Sequence, residues 1–239
     1  MAKNETISNT IENNEALLAA KNFWDKYRKI IVIFSVIFIG VFVGYFGYKN
    51  WYVAPREEKA KDAMFMAESI FDEMANTQFN KDSIDIVING SKSKKITGLL
   101  SVIKQFDGTL SAERAKYMVG ACYFQIKEYD KSIKWLKDFN ANGAKQIQSF
   151  SYTLLGHAYA EKKNNSEAFK YYKKAIEANE KDEILTPQSI LLAARYAEHI
   201  NKNEDAIELY KKLKENFPSY LSVTNGDVEK HLAALGVLN

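Results

Sequence analysis

Apolar and polar positions alternate along this chain in ways that divide it into distinct stretches. Ile30–Tyr48, IIVIFSVIFIGVFVGYFGY, runs nineteen residues without a charge, an amide or a proline. At about 1.5 Å per residue, a helix of that length crosses the roughly 30 Å hydrocarbon core of a bilayer. Upstream, residues 1–29 form a polar tail in which Leu17, Leu18, Phe23, Trp24 and Tyr27 make one apolar stripe beside Lys21, Lys26 and Arg28. That stripe reads either as an interfacial helix or as a plain extension of the spanning segment. Downstream, Ala60, Ala63, Met64, Ala67, Ile70, Phe71 and Met74 fall at helical spacing and predict an amphipathic helix over Glu57–Ala75, with Pro55 disfavouring helix at Ala54. In Ser83–Ser93 the alternation of Ile84, Ile86 and Ile88 before Asn89-Gly90 predicts an extended segment or loop, with no partner strand to make a sheet. Lys95–Phe106 predicts a short helix ended by Asp107-Gly108.

From Ser111 the pattern repeats. Val119-Gly120 precedes Tyr123 by the same interval as Leu155-Gly156 precedes Tyr159 and Ala193-Ala194 precedes Ala197. Twelve residues after Gly120, Gly156 and Ala194 come Ser132, Ala168 and Ala206, and four beyond those come Leu136, Tyr172 and Tyr210. The units are offset by 36 and 38 residues, and the spacing resembles the tetratricopeptide repeat, a helical hairpin of about 34 residues. Small residues recur where two helices cross closely, because large ones would wedge the hairpin open. Thr186-Pro187 predicts an N-cap followed by proline at the first helical position, and Asp130 and Asn203 precede second helices. Asp227–Leu235, with Val228, Leu232 and Leu235 on one side, predicts a short helix that covers the last unit.

The expected fold is therefore all-α: a single N-terminal transmembrane helix, then a tetratricopeptide-repeat-like α-solenoid with a C-terminal capping helix. The expected regions are a tail (1–29), an anchor (30–53), linking helices (54–110), three repeats (111–218) and a cap (219–239). Phe23, Trp24 and Tyr27 on one side of the apolar run, and Tyr45, Phe46, Tyr48, Trp51 and Tyr52 on the other, match interfacial aromatic belts. A cleaved signal is disfavoured by Ala54-Pro55-Arg56 after the run, and a lipoprotein signal by the lack of a cysteine there. Lys26, Arg28 and Lys29 favour a cytoplasmic N-terminus and a C-terminal domain outside the cytoplasm, against a weaker set of Lys49, Arg56, Lys59 and Lys61. Within the run, Gly40, Gly44 and Gly47 make a candidate face for packing another membrane helix.

Charge removes one class of partner. Of 33 Lys/Arg and 30 Asp/Glu, six and four fall within residues 1–53, leaving 27 and 26, so no nucleic-acid partner is expected. Catalysis is not expected either. His157, His199 and His231 lie in separate helices, the single Cys122 has no histidine near it in sequence, and neither metal-ligand spacing nor a phosphate-cradling loop is present, so no cofactor is expected.

Tail, anchor, long amphipathic helix and three repeats resemble in layout the bacterial ancillary SecYEG translocon subunit family. The closest likeness is to Bacteroidota-like versions, in FDGTLSAERAKYMVGACYFQIKEYDKSIKWLKDF (Phe106–Phe139) and in the run from Thr186-Pro187 to Phe217-Pro218. The resemblance implies an inner-membrane protein whose periplasmic domain stands beside the SecYEG translocon and engages exported clients or periplasmic chaperones. Two other readings stand beside it: a cytosol-facing import-receptor-like or signalling scaffold, and a purely structural subunit of another envelope complex. In a tetratricopeptide array the first helices line the concave face. Here that places Arg114, Tyr117, Ala121 and Phe124, then Phe150, Thr153, His157 and Ala160, then Gln188, Leu191, Arg195 and Glu198 on a groove for an internal segment of a partner. That groove is either open or covered by the 57–75 helix.

Overall fold

The computed structural model describes residues 2–237, with side chains from Leu18 onward, and falls into two units that meet in sequence between Pro55 and Arg56. In the first unit one helix, α1 (Ala2–Gly47), takes in both the polar tail and the apolar run, and a π-helical turn follows over Tyr48–Val53. Leu17 of the expected stripe lies outside the described side chains. Apart from the half-buried Ile31, the large apolar side chains of the run stand exposed, Phe38 at 72%. The helix is long and apolar enough to cross a membrane. Ala54 is right-handed helical (φ −61°, ψ −45°), contrary to the expectation drawn from Pro55. Its N–H donates to the Lys49 carbonyl five residues back, and this wider register lets the chain approach a proline without the usual break.

The second unit is built of helices. In α2 (Ala54–Asn76), Ala60, Met64, Ala67 and Met74 are buried and Phe71 half-buried, the alternating four-and-three spacing of one apolar stripe. The alternation in Ser83–Ser93 is misleading. Ile84, Val87 and Ile88 are buried at the spacing of a helix, α3 (Lys81–Asn89), whose N-cap Asn80 accepts the Ser83 N–H at 2.9 Å. A two-stranded antiparallel ribbon follows, β1 (Gly90–Ser91) with β2 (Ile96–Thr97), and it delays the next helix to α4 (Leu99–Gln105). Ile96 of the ribbon is buried, which ties a segment too short to stand alone to the helical core.

Three hairpins come next: α5 (Leu110–Gln125) with α6 (Tyr129–Asp138), α7 (Lys145–Glu161) with α8 (Asn165–Ala178), and α9 (Leu185–His199) with α10 (Asn203–Asn216). The small residues lie at the crossings. A Cβ on Gly120 would sit 2.7 Å from Leu136 Cγ, and one on Gly156 would sit 2.5 Å from Tyr172 Cε1. At Ala194 the equivalent pair, Ala194 and Tyr210, is fully buried. The turns repeat as well: Lys127, Lys163 and Asn201 all take positive φ (64°, 60° and 58°). After each, the next N–H bonds back five residues, Glu128 to Tyr123, Asn164 to Tyr159 and Lys202 to Ala197, closing all three first helices with one C-cap motif.

Helix starts in the repeats differ from expectation at three places. Asp130 lies in the first turn of α6 and Asn203 is the first residue of α10, neither preceding its helix, and α9 begins at Leu185, ahead of Thr186-Pro187. The cap of α9 is the Asp182 carboxylate, which accepts the Ile184 and Leu185 N–H groups at 2.9 and 2.7 Å, while the Thr186 hydroxyl turns back to the Asn179 carbonyl.

Packing joins the elements in sequence order. Met64, Ala67 and Met74 of α2 share one core with α3, α4 and the inner face of α5. Glu57 ties α2 to the start of α5, accepting the Leu110 N–H at 2.7 Å and the Ser111 N–H at 3.0 Å, where the helix presents unpaired donors and the positive end of its dipole. A second clamp holds α5 to α6. Lys116 pairs with Glu113 and Asp138, both at 3.0 Å, and Glu113 accepts the Asn140 N–H at 2.7 Å. After the short α11 (Leu221–Thr224), α12 (Asp227–Ala234) buries Val228 and Leu232 in the core of α9 and α10.

Candidate functional site

The structure sorts the residues expected to line the groove into two sets. Arg114, Phe150, Gln188 and Arg195 are exposed. Tyr117, Phe124, Thr153, His157, Ala160 and Glu198 are half-buried, and Ala121 and Leu191 are buried. The inner set is occupied in holding hairpins together. Tyr117 packs on Phe139 at 5.7 Å, and Phe124 lies 5.6 Å from Tyr129 and 6.3 Å from His157. His157 lies 5.4 Å from Tyr172, Tyr172 lies 4.9 Å from Tyr196, and Tyr196 lies 6.2 Å from His199. One file of rings thus runs from the first hairpin to the third, each pair adding about 0.5–1.5 kcal/mol beyond its buried area.

Of the exposed set, Arg114 has an internal partner: its guanidinium pairs with Glu68 of α2. A hollow of about 350 Å³ lies beside that pair, lined by Glu57, Phe65, Leu110 and Arg114. The linking helix α2 therefore meets the first hairpin at a groove position. Phe150, Gln188 and Arg195, on the second and third hairpins, stay exposed. Gly40 and Gly44 lie on the exposed surface of α1, with no atom near the place of an added Cβ, while a Cβ at Gly47 would touch only Trp51 at 3.9 Å.

Two internal links were not readable beforehand. The Tyr172 hydroxyl and His157 Nδ1 share a hydrogen bond at 2.8 Å, and Glu198 accepts the Tyr210 hydroxyl at 2.9 Å while lying 2.8 Å from His231 Nδ1 of α12. The first ties the two helices of one hairpin, and the second ties the third hairpin to α12. Nothing in the spacing of Glu198 marks it, because its partners lie 12 and 33 residues away. Cys122 is buried, and burial pushes its thiol up to about 12, so it packs as a small apolar group and has no thiolate to offer. Among the described residues no group of three or more His, Cys, Asp or Glu is placed to hold a metal ion.

Acid should loosen the array in two steps. Burial lowers the pKa of His157, so the unfolded chain binds its proton first, and the stability that His157 contributes while neutral is lost as pH falls below about 6.5. Asp182 is held down to about 2 by the backbone N–H groups of Leu185 and Ile184, then by Gln146 and Asn179. Its contribution is present above about 4 and disappears as pH falls toward its folded value. Thermal melting of residues 56–239 between pH 7.5 and 5 should fall with pH, and His157→Asn should flatten the upper part of that slope; an equal slope in that variant places the titrating group elsewhere.

Against known families, a tetratricopeptide repeat model matches residues 151–182, the span that contains Gly156, Ala168 and Tyr172. The chain contains a tetratricopeptide repeat. The matched repeat is the α7–α8 hairpin, and the hairpins on either side share its crossing positions and its turn geometry. No curated protein matches the chain. Repeats of this kind generally mediate protein–protein interaction, and an all-α interaction scaffold is the coarse function this fold supports.

Proposed function

We propose that this chain is a single-pass inner-membrane protein that presents a tetratricopeptide solenoid to the periplasm, as an accessory subunit of the SecYEG translocon engaging exported clients or periplasmic chaperones. The observation that carries the reading is the combination in one chain of a charge-free run, Ile30–Tyr48, with exposed side chains and an array of helical hairpins that includes a tetratricopeptide repeat. In a bilayer the exposed run becomes the anchor, and Lys26, Arg28 and Lys29 keep the N-terminus in the cytoplasm. Gly40, Gly44 and Gly47 offer another membrane helix a close approach. Phe150, Gln188 and Arg195 are the groove positions left for a partner, Arg114 being paired with Glu68 at the α2 end. The layout resemblance supplies the translocon as that partner's setting.

Two measurements test the proposal together. Reporter fusions at the C-terminus should be active only in the periplasm, and purification of the native protein in mild detergent should bring SecYEG with it. Cytoplasmic reporter activity would turn the reading into that of a cytosol-facing scaffold. Co-purification of a different envelope complex would make the chain a subunit of that complex.

A further inference from the structure

The side of the array formed by α6, α7 and α8 carries a second recess that the groove does not use. Two adjoining hollows, of about 480 and 350 Å³, share Asn140, Gln148, Tyr152 and Lys174. Tyr159 and Tyr171 stack nearly parallel at 5.5 Å, and Tyr152 lies 6.0 Å from Tyr171. Over these rings stand two ammonium groups. Lys137 Nζ is 5.2 Å from the Tyr159 centroid and 6.0 Å from that of Tyr171, and Lys174 Nζ is 5.3 Å from Tyr171 and 5.7 Å from Tyr152.

Two carboxylates nearby pair with other cations, although Glu167 also acts on Lys137 through space. Asp138 pairs with Lys116, and Glu167 pairs with Lys170, whose ammonium also stands 6.0 Å from Tyr171. Glu177 lines only the smaller hollow. Among the described residues no carboxylate lies within 4 Å of Lys137 or Lys174. A ring face orients an ammonium group without neutralising it. The two lysines are therefore held in place, Lys137 also by a hydrogen bond to Tyr159, with no carboxylate at ion-pair distance, beside neutral amides able to bond a peptide backbone.

We infer that this recess is a docking site for an acidic, extended peptide segment of a protein partner, whose carboxylates meet Lys137 and Lys174 while its backbone meets Asn140 and Gln148. Charge complementarity names the chemistry, and the concave, amide-lined shape selects a peptide. A membrane surface is a poorer match, since headgroup binding by charge draws on clusters of about 4–8 basic residues. The site differs from the groove in being made by second-helix lysines.

The inference rests on the interaction-scaffold reading, and its test keeps the two apart. Full-length protein in a neutral detergent is titrated into a fluorescently labelled peptide of alternating Glu and Ser, with the Gln–Ser peptide as control. Wild-type protein should bind only the acidic peptide. Lys137→Gln with Lys174→Gln should weaken that binding by about tenfold or more, whereas Lys137→Arg with Lys174→Arg should keep most of it, because the charge and the ring contact persist. Equal binding by the Gln variant, or no binding by the wild type, overturns the site. So does lysine-dependent binding of short-chain phosphatidylglycerol in place of the peptide. Partners that still co-purify with a wild type unable to bind the peptide would overturn the recess alone and leave the scaffold standing.

Discussion

Gly156→Leu should lower the melting temperature of residues 56–239 by about 5–10 °C. The small residue is required there by the crossing of α7 and α8. Even a methyl group at Gly156 would lie 2.5 Å from Cε1 and 2.6 Å from Cδ1 of Tyr172, well inside contact distance. Leucine adds three more carbons at the same point. Tyr172 has little room to retreat, since it is 2% exposed, is hydrogen-bonded to His157 and packs on Tyr196 of the next hairpin. Displacing it breaks a link within the second hairpin and another to the third, so the damage should pass beyond one repeat. Amide exchange should accelerate in α9 as well as in α7 and α8. A variant that melts with the wild type and exchanges no faster would remove the crossing as the basis of the repeat.

That crossing was the most legible feature of the sequence, because it constrains residue size at fixed spacing: Gly120, Gly156 and Ala194 oppose Leu136, Tyr172 and Tyr210. The stripe of α2 was legible for a similar reason, as Ala60, Met64, Ala67 and Met74 fall on one face. Where two periods coexist, the pattern misled. Ile84, Ile86 and Ile88 alternate, yet Ile84, Val87 and Ile88 also satisfy a helix, and the Asn80 cap together with burial against α4 and α5 decided for the helix. The start of α9 was misplaced because Thr186-Pro187 imitates a cap while Asp182, four residues earlier, makes the bonds. Contacts such as Glu57 with Ser111 could not be read at all, because they depend on how α2 lies along α5, across 54 residues of chain. The groove was legible only as a set of register positions. Which of them face outward depends on how neighbouring hairpins cover one another, and that coverage took Phe124 and His157 into the file of rings and Tyr117 onto Phe139.

The sharpest test of partner binding therefore uses the outward positions. Phe150→Ser with Arg195→Gln should reduce crosslinking to the bound partner by about tenfold or more, with helicity and melting unchanged. Phe150 is 46% exposed, so its truncation opens no cavity, while a partner would lose an aromatic anchor of the kind that dominates interfaces. Arg195 is exposed on the third hairpin, one residue after its crossing position, and Gln removes its charge while keeping much of its length. Substituting Tyr117 or Phe124 would confuse the result. Tyr117 supports Phe139, and Phe124 supports Tyr129 and His157, so alanine there would weaken the scaffold itself by up to about 3–5 kcal/mol. The outward pair separates recognition from stability. Full crosslinking by a double variant that melts like the wild type would take the partner off this face and leave the membrane helix or the α6–α8 recess to hold it.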